Sequence, residues 1–102
     1  MTFEDALATL LSLVGQRIDV AIESPAYGLM AHFSGELVQG HEMSGREDES
    51  APVFFSFRDG SSGFVVDRDA FATAERSADG SALRIEDRAG VAIVVERSGD
   101  RA

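Results

Sequence analysis

Arg17-Ile18-Asp19-Val20-Ala21-Ile22-Glu23 carries Ile or Val at every second position, with charged or small residues between. A period of two puts Ile18, Val20 and Ile22 on one face of an extended chain, the pattern of a half-buried strand. Upstream the period changes. Phe3, Ala6, Leu7, Leu10, Leu11 and Val14 recur at the three-and-four spacing of one helical face, which predicts a helix over Thr2 to Val14. Thr2 is suited to cap its free amides, Glu4 and Asp5 to face its positive end, and Gly15 to end it in the left-handed conformation. A helix of about three turns is marginal alone, so its apolar stripe must lie on a sheet.

Downstream, Ser24-Pro25-Ala26-Tyr27-Gly28 interrupts the first strand, and a second follows in which Leu29, Ala31, Phe33 and Leu37 share parity. Gly35 falls on the same inward side, which implies a sharp bend, a bulge or a close backbone approach. Gly40 to Pro52 reads as an exposed loop because it offers little to bury. Val53-Phe54-Phe55-Ser56-Phe57 forms the third strand, and Arg58 to Gly63 turns the chain into Phe64-Val65-Val66. Residues 67 to 76 read as a strand followed by a helical turn, with Asp67 as the alternative cap of a short helix. Ser77-Ala78-Asp79-Gly80-Ser81 is a turn cluster. Leu83-Arg84-Ile85-Glu86 and Val91-Ala92-Ile93-Val94-Val95 flank Asp87-Arg88-Ala89-Gly90 as a hairpin, Gly90 supplying the positive dihedral.

The expected fold is mainly β: an N-terminal helix, then a strongly bent five- or six-stranded antiparallel sheet or a small barrel, with an open α+β sheet as the alternative. One domain spans residues 1–96, and residues 97–102 form a flexible tail. Leu10-Leu11 in the opening helix, the Gly-led alternating strand Gly15-Gln16-Arg17-Ile18-Asp19-Val20-Ala21-Ile22, and Phe33-Ser34-Gly35-Glu36-Leu37 with its Gly-x-Leu stand in sequence. In these features the first half resembles the Sm-like family of small barrels. The resemblance implies a small Sm/SH3-like barrel and a ring-forming oligomer.

Composition bounds the function. At 102 residues the chain holds one domain that buries roughly two thirds of its unfolded surface. Seven Phe among 44% hydrophobic residues supply a core without staples, and the absence of Cys excludes a disulfide scaffold or a thiolate nucleophile. Met1 leads into Thr2-Phe3-Glu4-Asp5 with no basic start or long apolar run, so neither signal peptide nor membrane span is expected, and the expected location is cytoplasmic. The net charge of −9 opposes nucleic-acid binding, which draws most of its affinity from neutralised phosphates.

No catalytic, cofactor or metal site is expected. His41 and Glu42, with Glu47, Asp48 and Glu49 beyond, form a possible binding loop, but with His32 they place only two imidazoles nine positions apart, too few converging ligands for a stable metal site. Asp67 and Asp69 share parity in an extended chain, yet Arg68 lies between them, which favours surface charge or turn capping over acid–base work. Phe54 and Phe55 are adjacent, so one must face outward. Phe57 shares the face of Phe55, which leaves Phe54 as the outsider, and Val94 between Ile93 and Val95 poses the same question. Phe54 and Val94 are therefore the expected interface residues. The expected function is a non-catalytic interaction module that self-associates, its protein partner otherwise unidentified. The alternatives are an RNA-binding Sm-like ring protein, an acidic inhibitor or immunity-like protein that holds a basic partner, and a small enzyme.

Overall fold

The computed structural model describes residues 1–42, 52–58, 60 and 62–98. Helix α1 (Phe3–Ser12) begins in a reciprocal cap: the Asp5 amide donates to Thr2 Oγ1 and the Thr2 amide to Asp5 Oδ2, both at 3.1 Å. The Thr2 amide, and then its hydroxyl, hold the Asp5 carboxyl below the ordinary carboxylate range. Phe3, Ala6, Leu10 and Leu13 are buried with Leu7 packed against them, while Leu11 and Val14 stay exposed. The buried stripe is narrower than the sequence spacing implies, because α1 stops at Ser12 and Val14 lies beyond its capping turn. Gly15 redirects the chain, and its amide donates to the Leu37 carbonyl at 2.7 Å.

Among the described residues seven strands follow: β1 (Arg17–Ser24), β2 (Gly28–Glu42), β3 (Val53–Phe57), β4 (Gly63–Val66), β5 (Phe71–Arg76), β6 (Ala82–Asp87) and β7 (Ala92–Arg97). They make one sheet in the order β4-β3-β2-β1-β7-β6-β5, antiparallel at each pairing. Strand β1 is central, paired with β2 and β7 and flanked by three strands on each side. The edge strands β4 and β5 are consecutive in the chain. In a flat sheet six spacings of about 4.8 Å would hold them about 29 Å apart. The connection from Val66 to Phe71 reaches at most about 18 Å. The sheet must therefore curl strongly, and it does so as a half-barrel.

Strand β2 changes partner along its length: its first part, up to Glu36, pairs with β1 and its last part, from Leu37 on and with a register shift between Leu37 and Gln39, pairs with β3. Gly35 is buried in this strand. A Cβ there would stand 3.1 Å from two ring carbons of Phe57, so the glycine serves close approach, one of the roles expected for it. Inside the curl Ile18, Val20, Leu37, Phe55, Leu83 and Val95 are almost completely buried. Phe33, Phe57 and Phe64 join them through edge-on ring contacts.

Three local expectations are corrected. The loop expected from Gly40 does not start there, because Gly40, His41 and Glu42 belong to β2 and stand opposite Phe55, Phe54 and Val53; residues 43–51, where most of the expected loop falls, lie outside the described residues. Segment 67–76 is a turn followed by a strand, the reverse of the expected order. The Asp69 amide donates to Asp67 Oδ1 at 3.0 Å, so Asp67 caps that turn rather than a helix, and β5 brings the count to seven strands. Its weak signal has a cause: Ala74 alone is buried in β5, so an edge strand rich in small residues shows no clear alternation. Finally, Arg97 closes β7 rather than opening the tail, and the Ser98 amide donates to the Arg17 carbonyl at 3.0 Å. Residues 99–102, where the rest of the expected tail falls, lie outside the described residues.

The turn between β5 and β6 carries a pH-dependent element. Asp79 Oδ1 accepts from the Ser81 amide at 3.0 Å and from the Ser77 and Ser81 hydroxyls at 2.7 Å each. These bonds, the Ser81 amide first, lower its pKa from 3.8 to about 2. Because the folded value lies below the unfolded one, the turn stabilises the fold above pH 3.8 and loses that contribution as the pH falls to about 2. Asp79→Ala is expected to melt below the wild type at neutral pH, with the gap narrowing across that acid window. A gap of equal size at both ends would contradict the assignment.

Candidate functional site

The inner row of the half-barrel is filled at one end and open at the other. Along β1, Ile18 and Val20 are fully buried but Ile22 is only half-buried; along β7, Val95 is fully buried and Ile93 half-buried. The closed end is the one tied to the exit of α1 through Gly15 and Leu37. At the open end Ile22, Ile93 and Ile85 stand side by side on adjacent strands. Phe71 continues this wall, and Phe64 and Val66 of β4 form the opposite one. Between them lies a cavity of about 260 Å³.

Asp67 and Asp87 supply the charged groups of this cavity. Both are half-buried and held by their own turns. Asp87 Oδ1 accepts from the Ala89 amide at 2.9 Å and the Val91 amide at 3.0 Å, while Asp67 Oδ1 accepts from Asp69. The second oxygen of each accepts no hydrogen bond among the described residues. Two nearby cations are engaged elsewhere, while Arg88, the chain neighbour of Asp87, is exposed. Arg68 pairs with Glu4 and lies 4.6 Å over the Phe3 ring, and Arg84 pairs with Glu23 at 3.1 Å.

Beside the cavity stands the β1–β2 hairpin, whose turn leans on the β6–β7 turn. A Cβ on Gly90 would meet Pro25 Cγ at 2.8 Å. Beyond that contact Tyr27, Leu29 and Met30 are 81%, 63% and 56% exposed. They lie in Ser24 to Gly35, a run with no Asp, Glu, Lys or Arg.

This architecture has a solved counterpart. The crystal structure of the Bacillus subtilis YojF protein superposes with a TM-score of 0.64 over 100% of this chain and 95% of that one, at 10% identity. At that identity the likeness concerns the fold alone. No family model and no curated protein matches the chain.

The expected interface residues sit apart from both features. Phe54 is half-buried on the face opposite Phe55 and Phe57, its ring edge 2.7 Å from where a Gly63 Cβ would stand. Val94 is half-buried on the outer face, paired with Ala21 of β1 and Arg84 of β6. The structure does not bring these two together: Phe54 lies toward the β4 edge and Val94 across the centre of the sheet. Of the possible binding loop, His41 and Glu42 are strand residues, and Glu47, Asp48 and Glu49 lie outside the described residues. Among the described residues no group of three or more metal-ligating side chains converges, and no helix is long and apolar enough to cross a membrane.

The sequence reading missed the cavity and the exposed hairpin lip. The lip did leave a signal, an uncharged run containing Tyr27, Leu29 and Met30 in a chain of net charge −9. The cavity left none, since Ile22 reads as one more residue of an alternating strand, Ile85 and Ile93 as ordinary hairpin positions, and Phe71 falls in a segment without clear alternation.

Proposed function

We propose that the chain is a cytoplasmic, non-catalytic interaction module that self-associates, with the β1–β2 lip as the contact. The observation that carries this reading is the exposure of Tyr27, Leu29 and Met30 on a core that is complete without them. Clustered apolar side chains left in water favour association, each contributing roughly 1.5–3 kcal/mol when fully buried. Charge favours a second copy at this place. Elsewhere the acidic surface would bring like charges together, whereas residues 24–35 carry none. Docking lip to lip about a two-fold axis gives a closed dimer. The cavity's polar groups are carboxylates already bound in turns, an arrangement suited to holding a molecule rather than transforming it.

Sedimentation equilibrium of the wild type and of Tyr27→Ser/Leu29→Ser tests the proposal. A dimer mass for the wild type and a folded monomer for the variant are expected. A wild type that stays monomeric as concentration rises, or a variant that still dimerises, rejects the lip.

A further inference from the structure

We infer that the cavity between β4 and the inner row of β1, β7 and β6 binds a small organic cation: an ammonium ion carrying one compact alkyl or aryl group. This site uses no lip residue and stands apart from self-association.

Size is the first argument. A cavity of about 260 Å³ exceeds the roughly 150 Å³ that accommodates benzene and falls just below the range of about 300–1,000 Å³ that holds drug-sized ligands. The occupant is therefore a ring or short chain with one functional group. The walls specify its body, since Ile22, Ile85, Ile93, Phe64 and Phe71 offer apolar surface and three of these five are only half-buried. Water gains little from such walls, and an apolar body displaces it favourably.

The head group follows from the carboxylates. Asp67 and Asp87 line the same cavity, and each has one oxygen locked by backbone amides and one without a partner among the described residues. The locked oxygens hold both carboxylates in place before the ligand arrives. Among the described residues the cavity lining contains no Arg, Lys or His; neighbouring Arg68 and Arg84 are paired with Glu4 and Glu23, and Arg88 beside Asp87 is exposed. A cation is thus the complement that the lining lacks, and an anion would meet two carboxylates in a chain of net charge −9.

The experiment titrates the full chain with n-butylammonium, n-pentylammonium and n-hexylammonium, and with n-hexanol as the neutral isostere, following amide chemical shifts. Saturable binding is expected, with affinity rising about fourfold per methylene until the cavity is full. Hexylammonium should bind at least about tenfold more tightly than hexanol, as one charge-assisted contact implies. The Asp67→Asn/Asp87→Asn variant keeps both Oδ1 acceptors, and with them both turns. It should hold hexanol as the wild type does while losing the preference for the ammonium ion, and either single replacement should lose part of it. Absence of saturable binding, equal affinity for hexanol and hexylammonium, or a preference that survives in the double variant would each overturn the inference.

Discussion

Phe55→Ala is expected to lower the free energy of unfolding by about 3–5 kcal/mol, a large share of the roughly 5–15 kcal/mol that holds a domain of this size together. Phe55 is fully buried in β3, and its ring stacks on Phe64 at 5.2 Å with 14° between planes. Phe64 also contacts Phe57, which in turn contacts Phe33, so the lost ring leaves a void that its neighbours cannot close without breaking those contacts. Phe64 additionally walls the open cavity, so removing its stacking partner also loosens the proposed site. Urea unfolding should show a lower midpoint with an unchanged slope. Phe54→Ala is the internal comparison. Its half-buried ring lies on the opposite face, and its loss should be clearly smaller. Equal losses for Phe54 and Phe55 would refute the assigned facing of β3.

Gly63→Ala is expected to destabilise by about 1–3 kcal/mol, the range for forcing an extra methyl into a filled space. The new Cβ would collide with the Phe55 carbonyl oxygen and stand 2.7 Å from Phe54 Cζ. The Phe54 ring can swing aside. The carbonyl belongs to the backbone of β3, which is paired on both sides, so relief requires β4 to move. Since β4 is a four-residue edge strand and leads directly into Asp67, its displacement would also disturb the cavity wall. Thermal unfolding of Gly63→Ala and of Gly63→Ala/Phe54→Ala separates the two contacts. The second replacement should not restore stability. Full restoration would show that the ring, and not the carbonyl, sets the requirement for glycine.

Both expectations rest on facing, and facing is what a strand's own residues encode. Within β3 the alternation already distinguishes Phe55 and Phe57 from Phe54, because side-chain direction has a period of two wherever the strand lies in the sheet. The same holds for Ile18 and Val20 in β1, and for the Thr2 cap, which needs only its own first turn. Strand β5 marks where this local logic stops. Edge placement leaves both its faces mostly wet, so Phe71-Ala72-Thr73-Ala74-Glu75-Arg76 shows little of its state in its pattern.

By itself, then, the sequence determined the helix with its cap, the inward parity of β1 and β3, the tight β6–β7 turn with Gly90 at φ +86°, and a mainly β chain, with close approach at Gly35 as one of three open readings. Tertiary structure alone decided that β7 returns to pair with β1 and that the short 67–70 connection curls the sheet until β4 faces β5. It also decided that the inner row closes at Ile18, Val20 and Val95 yet stays open at Ile22 and Ile93, bringing Asp67 and Asp87 to one cavity and leaving Tyr27, Leu29 and Met30 uncovered beside it. The reason is physical. Parity states which way a side chain points, but how much space lies in front of it depends on the distance to the opposing wall, and that distance is set by the curvature of all seven strands together.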